Sequence, residues 1–202
     1  MGKQTKHGAL DAYFARRADG GPVFLINTNI AGNIRQTATE WRDTHATNFV
    51  RSDVAELRII TPQYAVVCAR VENPASGEEW RLAEFAGKVA EGMNLGAAAK
   101  TPTALHGDRD RIEELIGKVA VLESVSFLDR PNPKDARYGL NDPSLKIAAL
   151  DKAGKTLASV SIGARSGPRR FATSDHLNAL FQINAADTTV FNKHAVDLAS
   201  RP

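Results

Sequence analysis

The chain writes one passage twice. "YFARRADGGPVFLIN" (residues 13–27) aligns without a gap on "RFATSDHLNALFQIN" (residues 170–184), so Phe14 meets Phe171, Ala15 meets Ala172, Phe24 meets Phe181, Ile26 meets Ile183 and Asn27 meets Asn184, always 157 positions apart. The sequel to each copy is also alike. "TNIAGNIRQTATEW" after the first and "ADTTVFNKHAVDLA" after the second set Ile30, Ile34 and Trp41 opposite Asp187, Phe191 and Leu198 at the same offset. Self-similarity at a fixed spacing means that one supersecondary unit is built twice. Here that unit is a hairpin followed by a helix, with Asn184 as helix cap and Val190, Phe191 and Leu198 turned inward. Phe24 and Ile26 are expected to face inward on their strand as Phe181 and Ile183 do on theirs.

Between the copies, strand signals dominate. Leu57 and Ile59 alternate with Arg58 and Ile60, a turn follows at Thr61, Pro62 and Gln63, and "YAVVCARV" returns. "EEWRLAEF" after the turn-rich "ENPASG" adds a third strand, with Trp80 as its core anchor. Residues 87–107 are rich in Gly, Ala and Thr and read as a loop with a helical turn around Val89 to Met93. "DRIEELIGKVAVL" predicts a helix capped by Asp110 with Glu113 three residues on, and with Ile112, Leu115, Ile116 and Val119 on one face. A short strand "SVSFL" precedes "DRPNPKDARYGLNDP", whose three prolines forbid regular structure. "LKIAAL" and "TLASVSI" around "DKAGK" then make a hairpin, and "RRFATSD" with "ALFQIN" a second. The fold class is therefore α+β: a mostly antiparallel β-sheet, meander plus hairpins, packed with two or three α-helices.

The chemistry that the sequence offers is thin. Twenty-six basic residues against 23 acidic ones give a net charge of +3 with both signs mixed, and the aromatics fall on core positions, so nucleic acid is not an expected partner. No apolar run approaches the roughly 18–20 residues that span a bilayer, so direct membrane insertion is not expected either. The one cysteine, Cys68, lies in an apolar strand and reads as a buried, inert thiol. His7, His45, His106, His176 and His194 form no metal-binding pair, and no cofactor motif is present. Ser166 in "SIGARSG" has Ala164 where a nucleophile elbow needs glycine. Glu78 with Glu79, and Glu113 with Glu114, are sequence neighbours that point apart. The sequence thus assigns no catalytic residue.

At "YGLNDPSLKIAALDKAGKTLASVSIG" the pattern resembles the bacterial domain of unknown function 4340 family: a Tyr-Gly-Leu, an Asp-Pro, two strands around a Gly-Lys turn and a closing Ile-Gly. "EEWRL" before it and "RRFATSDHLNALFQI" after it extend the likeness over residues 53–202. The resemblance implies that residues 51–202 are one complete repeat unit and residues 1–50 the closing hairpin and helix of a truncated preceding repeat. It also implies tandem units, commonly behind a membrane anchor that this chain does not show. Relatives in that family include auxiliary proteins of ABC-type transport systems of the gliding-motility kind, so the cell envelope is the implied location. It carries over no catalytic or cofactor residue.

Two surfaces remain as candidates. Arg137 and Tyr138 are the most interaction-capable residues of the long irregular connection, the competing role of Tyr138 and Leu140 being to pin that loop to the core. Arg165, Arg169 and Arg170 in "GARSGPRR" are candidates for an anion site, set against a plain solvated hairpin turn. The expected function is a non-enzymatic binding or scaffold module with a protein partner, such as a membrane transport component. The alternatives are a hydrolase whose residues meet only in space, and a fragment without an independent role.

Overall fold

The computed structural model describes residues 4–7, 10–16, 20–28, 30, 42–73, 77–89, 93–101, 103–128 and 131–201. The chain divides into two compact units, Met1–Asp43 and Thr44–Pro202. In the first, β1 (Gln4–His7), β2 (Leu10–Arg16) and β3 (Val23–Asn27) form an antiparallel sheet in the order β1-β2-β3. The hairpin expected from the repeat is β2–β3, and β1 extends it to a meander. As the chain leaves β3, Asn27 Oδ1 accepts a hydrogen bond from Ile30 N at 2.8 Å. The helix expected over residues 28–41, with Ile34 and Trp41, lies outside the described residues except at Thr28 and Ile30.

The second unit is organised around one nine-stranded antiparallel sheet. Its strands are β4 (Glu56–Ile60), β5 (Tyr64–Asn73), β6 (Gly77–Ala86), β7 (Leu105–His106), β8 (Ser126–Phe127), β9 (Leu145–Leu150), β10 (Thr156–Ser166), β11 (Arg169–Ser174) and β12 (Leu180–Asn184). The spatial order β7-β6-β5-β4-β9-β10-β11-β12-β8 joins two meanders where β4 meets β9, with Ile59 opposite Ile147. The chain is thus mostly antiparallel sheet with short helices, an α+β fold.

The two hairpins that the sequence aligns share one strand register. β2 pairs β3 as Ala12↔Asn27, Tyr13↔Ile26, Phe14↔Leu25, Ala15↔Phe24 and Arg16↔Val23. β11 pairs β12 as Arg169↔Asn184, Arg170↔Ile183, Phe171↔Gln182, Ala172↔Phe181 and Thr173↔Leu180, each residue 157 positions beyond its counterpart. A slip by one residue would turn every side chain to the opposite face. The burial expectation holds only for the second copy. Phe181 and Ile183 are fully buried, whereas Phe24 is 45% exposed and Ile26 half-buried.

Helix α1 (Leu95–Ala99) covers β5 and β6 on one side of the sheet, where Leu95 and Ala99 meet Val67 and Ala69. The helical turn therefore sits at 95–99, beyond the expected Val89–Met93, of which residues 90–92 lie outside the described set. A β-carbon on Gly96 would collide with the Glu56 carboxylate. The small residue lets α1 approach the part-buried Glu56–Arg58 ion pair.

Helix α2 (Arg109–Ala120) lies in the larger core, where Ile112, Leu115, Ile116 and Val119 pack with Leu57, Val66, Trp80, Leu82 and Phe181. Each such side chain contributes roughly 1.5–3 kcal/mol by leaving water. Its cap is Asp108, whose carboxylate accepts from Asp110 N and Arg111 N at 3.1 and 3.2 Å. Asp110, expected as the cap, stands in the first turn, where its charge suits the helix dipole. Backbone bonds from Gly107 N to Trp80 O and from Asp108 N to Leu198 O set the earlier start.

The C-terminal helix is broken in two, α3 (Ala185–Thr189) and α4 (Ala195–Leu198). Asn184 holds the cap position of α3 as expected, yet its side chain makes no cap bond and donates instead to Asp187 Oδ2 at 3.2 Å. The break has a tertiary cause. Glu84 on β6 accepts from Ala195 N and pairs with His194 Nδ1, both at 2.8 Å, while Asp197 Oδ2 accepts from His194 N. Carboxylates satisfy the first amides of a new helix at that point.

Candidate functional site

The connection over residues 131–143 is an ordered strap. Asp135 Oδ1 accepts from Arg137 N at 3.0 Å and starts a 3₁₀ turn over Ala136–Tyr138. Gly139 closes it with φ of 63°, a conformation that side chains disfavour. The strap lies against β10 so tightly that a β-carbon on Gly163 would collide with Tyr138 O. Tyr138 is itself buried, with its ring edge-on to Phe171 at 4.9 Å. Arg137 donates from Nη2 to the Tyr138 hydroxyl at 2.7 Å and lies over its ring, yet stays largely exposed. Of this candidate pair, Arg137 alone presents a surface to solvent.

The three arginines of "GARSGPRR" are not gathered at one point. β10 and β11 turn tightly at Gly167 and Pro168, and period-two alternation sends neighbours to opposite faces. Arg169 reaches Ser126 Oγ at 3.3 Å and Gln182 Oε1 at 3.4 Å. Arg165 stands directly across from Arg170 in the register, and its Nε donates to Gly167 O at 2.9 Å. Arg170 is half-buried and donates from Nη2 to Ser144 Oγ and to Gly163 O. Burial, and after it the Arg165 charge, pushes Arg170 below the usual arginine value. Arg170 also lines a cavity of about 220 Å³ with Ser144, Thr188 and Asn192, a grouping that no sequence spacing announces.

The remaining ionisable groups are tied into the fold. Cys68 is fully buried, and burial followed by the Glu56 charge pushes its thiol up to about 12, where no thiolate forms near neutrality. Glu78 bonds to Lys152 at 2.6 Å and faces Arg70, which also pairs with Glu113 and covers the Trp80 ring. Glu79 turns instead to Asn73 and Arg81. The hydrogen bond from Lys152 holds Glu78 below the ordinary range, as that from Asn73 does Glu79. Both are therefore ionised acceptors near neutrality, the reverse of a general acid.

His194 stacks on Tyr64 with ring centroids 4.3 Å apart and bonds to Glu84, and Tyr64 donates to Asn192 Oδ1 at 2.8 Å. Among the described residues the His194 ring meets the Glu84 carboxylate and the Tyr64 ring. Among those residues, too, no group of three or more His, Cys, Asp or Glu side chains is arranged to hold a metal, and no helix is long and apolar enough to cross a membrane. A wider groove of about 670 Å³ opens between α2 and residues 190–201, where Arg111, Lys118 and Lys193 are mixed with Glu114 and Asp197.

A family model described as a domain of unknown function (DUF4340) matches residues 98–201. That span holds α2, the strap, β8–β12 and the last two helices. Searches of curated proteins and of solved structures return no match.

Proposed function

The chain belongs to the DUF4340 family of domains of unknown function, and from that premise we propose that it is a non-enzymatic binding or scaffold module of an envelope-associated assembly. The observation that supports this reading is the strand register shared by β2–β3 and β11–β12 at one offset. A unit used twice in one chain is the pattern of tandem modules, which work by presenting surface along an array. The ion pairs around Arg70, Glu79 and Glu84 fit the same reading, since they hold elements together and leave no tuned acid and base couple among them. The finer form of the proposal, an auxiliary component beside an ABC-type transporter, rests on the family likeness alone.

Affinity capture tests it. The tagged chain, expressed in its native host and recovered from mildly solubilised envelopes, is expected to bring down membrane transport components. Recovery of none under conditions that keep such complexes intact would count against the proposal.

A further inference from the structure

Three features of the β10–β11 hairpin converge on Arg170. The first is its partner across the ladder. Arg165 and Arg170 are directly opposed, so both side chains leave the same face, and like charges in that relation repel. Among the described residues neither forms an ion pair with a carboxylate, and burial, then the Arg165 charge, lowers Arg170.

The second feature is an unmet donor. Arg170 Nη2 is committed to Ser144 Oγ and Gly163 O, but Nε is buried without a hydrogen-bond partner. Guanidinium stays protonated at any pH at which a protein folds, so the charge cannot be shed to relieve that cost. Ser144 Oγ is anchored in turn on Ile162 O and Gly163 O, at 3.0 and 3.2 Å. The head group is thus held in one orientation, with no carboxylate paired to it among the described residues.

The third feature is the space beside it. The cavity of about 220 Å³ is lined by Arg170 as its one charged side chain, by no carboxylate among the described residues, and by Leu145 and Phe191 as apolar walls. That is room for several waters at about 30 Å³ each, or for one small polyatomic ion. Asn192 lines the same cavity, and because its Oδ1 already accepts from Tyr64, its amide nitrogen is left as a second donor. A fixed guanidinium, a neutral amide donor and no acid describe a receptor for negative charge.

We propose that this cavity binds a small oxyanion, the carboxylate or phosphate group of a ligand, with Arg170 as its charged contact and Asn192 as its neutral one. The competing role for Arg170 is to brace the register shift of β10 between Ile162 and Arg165 through Gly163 O. That role needs no anion.

Titration of inorganic phosphate and, separately, of acetate into the ¹⁵N-labelled full chain separates the two, with chloride at equal ionic strength as control. Saturable shifts at Ser144, Gly163, Arg170 and Asn192 with either oxyanion are expected, and the tighter of the two assigns the ligand to the phosphate or the carboxylate class. Arg170→Gln should weaken that binding about tenfold or more, as loss of a charge-assisted contact does. Asn192→Ala should weaken it about threefold, and serves as the deciding variant if Arg170→Gln does not fold. Equal shifts with chloride, shifts away from these residues, or unchanged affinity in the variants would overturn the proposal.

Discussion

Phe24 and Phe181 stand at the same rung of their ladders, opposite Ala15 and Ala172, yet the first is 45% exposed and the second fully buried. The pairing of β2 with β3 repeats that of β11 with β12 residue for residue; among the described residues the burial does not repeat, and Ile34 and Trp41, the counterparts of Phe191 and Leu198, lie outside that set. Around Phe181 the chain supplies α2, Phe191 and Leu198 from other parts of the sequence. Register is written into the strands themselves, whereas burial is conferred by what packs on them. A repeat in sequence therefore forecasts pairing more securely than it forecasts a core.

The largest test of that contrast is truncation of the two phenylalanines. Phe181→Ala should cost about 3–5 kcal/mol in denaturant unfolding, the cost of a cavity in a closed core. Phe24→Ala should cost about 1 kcal/mol or less, because much of its ring already meets water. Equal costs would erase the distinction between the two meanders.

Next in size is the strap that covers the second meander. Tyr138→Ala should lower stability by about 3 kcal/mol, since it empties the buried site against Phe171, whereas Arg137→Ala should change it by about 0.5 kcal/mol. Comparison of the two melting curves checks this. A Tyr138 variant that melts like the parent would free the strap from a structural role and restore its tyrosine as a partner contact.

A smaller effect should follow pH. Burial alone would raise Glu84, but the hydrogen bonds from Ala195 N and His194 outweigh it and hold the carboxyl below its ordinary value. A depressed carboxyl adds stability that is present above its unfolded-state pKa, near 4.3, and is lost as pH falls through the lower folded value. Stability measured across that acid window should therefore fall in the parent more steeply than in Glu84→Gln. Parallel curves would show that Glu84 does not tie α4 to β6.

The smallest effect compares the asparagines that close the two hairpins. Asn27→Ala removes the bond to Ile30 N and should cost about 1 kcal/mol. Asn184→Ala removes only the exposed contact to Asp187 and should cost about half as much or less. Unfolding of the two variants under the same conditions gives the order directly.

Much of the sheet was legible in the sequence because its signals are local. Thr61, Pro62 and Gln63 mark one turn, Gly154 marks another, and alternation in "LKIAAL" and "TLASVSI" sets which side chains enter the core. Helix ends were less legible. Asp108 and Asp110 are both competent caps, and bonds to the distant Trp80 and Leu198 decide between them. The break at His194 depends on Glu84, a residue 110 positions away. The candidate site shows the same division. Period two already separates Arg169 from Arg170, but the pairing of Arg165 with Arg170 depends on the hairpin register, and the approach of Ser144 and Asn192 to Arg170 is a product of the tertiary fold.

One ladder register recurs in β2–β3 and β11–β12, and cross-strand nuclear Overhauser contacts measure it directly. α-Proton contacts at alternate pairs of Ala12–Asn27 through Arg16–Val23 should recur, 157 positions on, in Arg169–Asn184 through Thr173–Leu180. The same register in both hairpins is the predicted result. A register in β2–β3 displaced by one residue from that of β11–β12 would contradict the repeat and remove the observation on which the scaffold proposal stands.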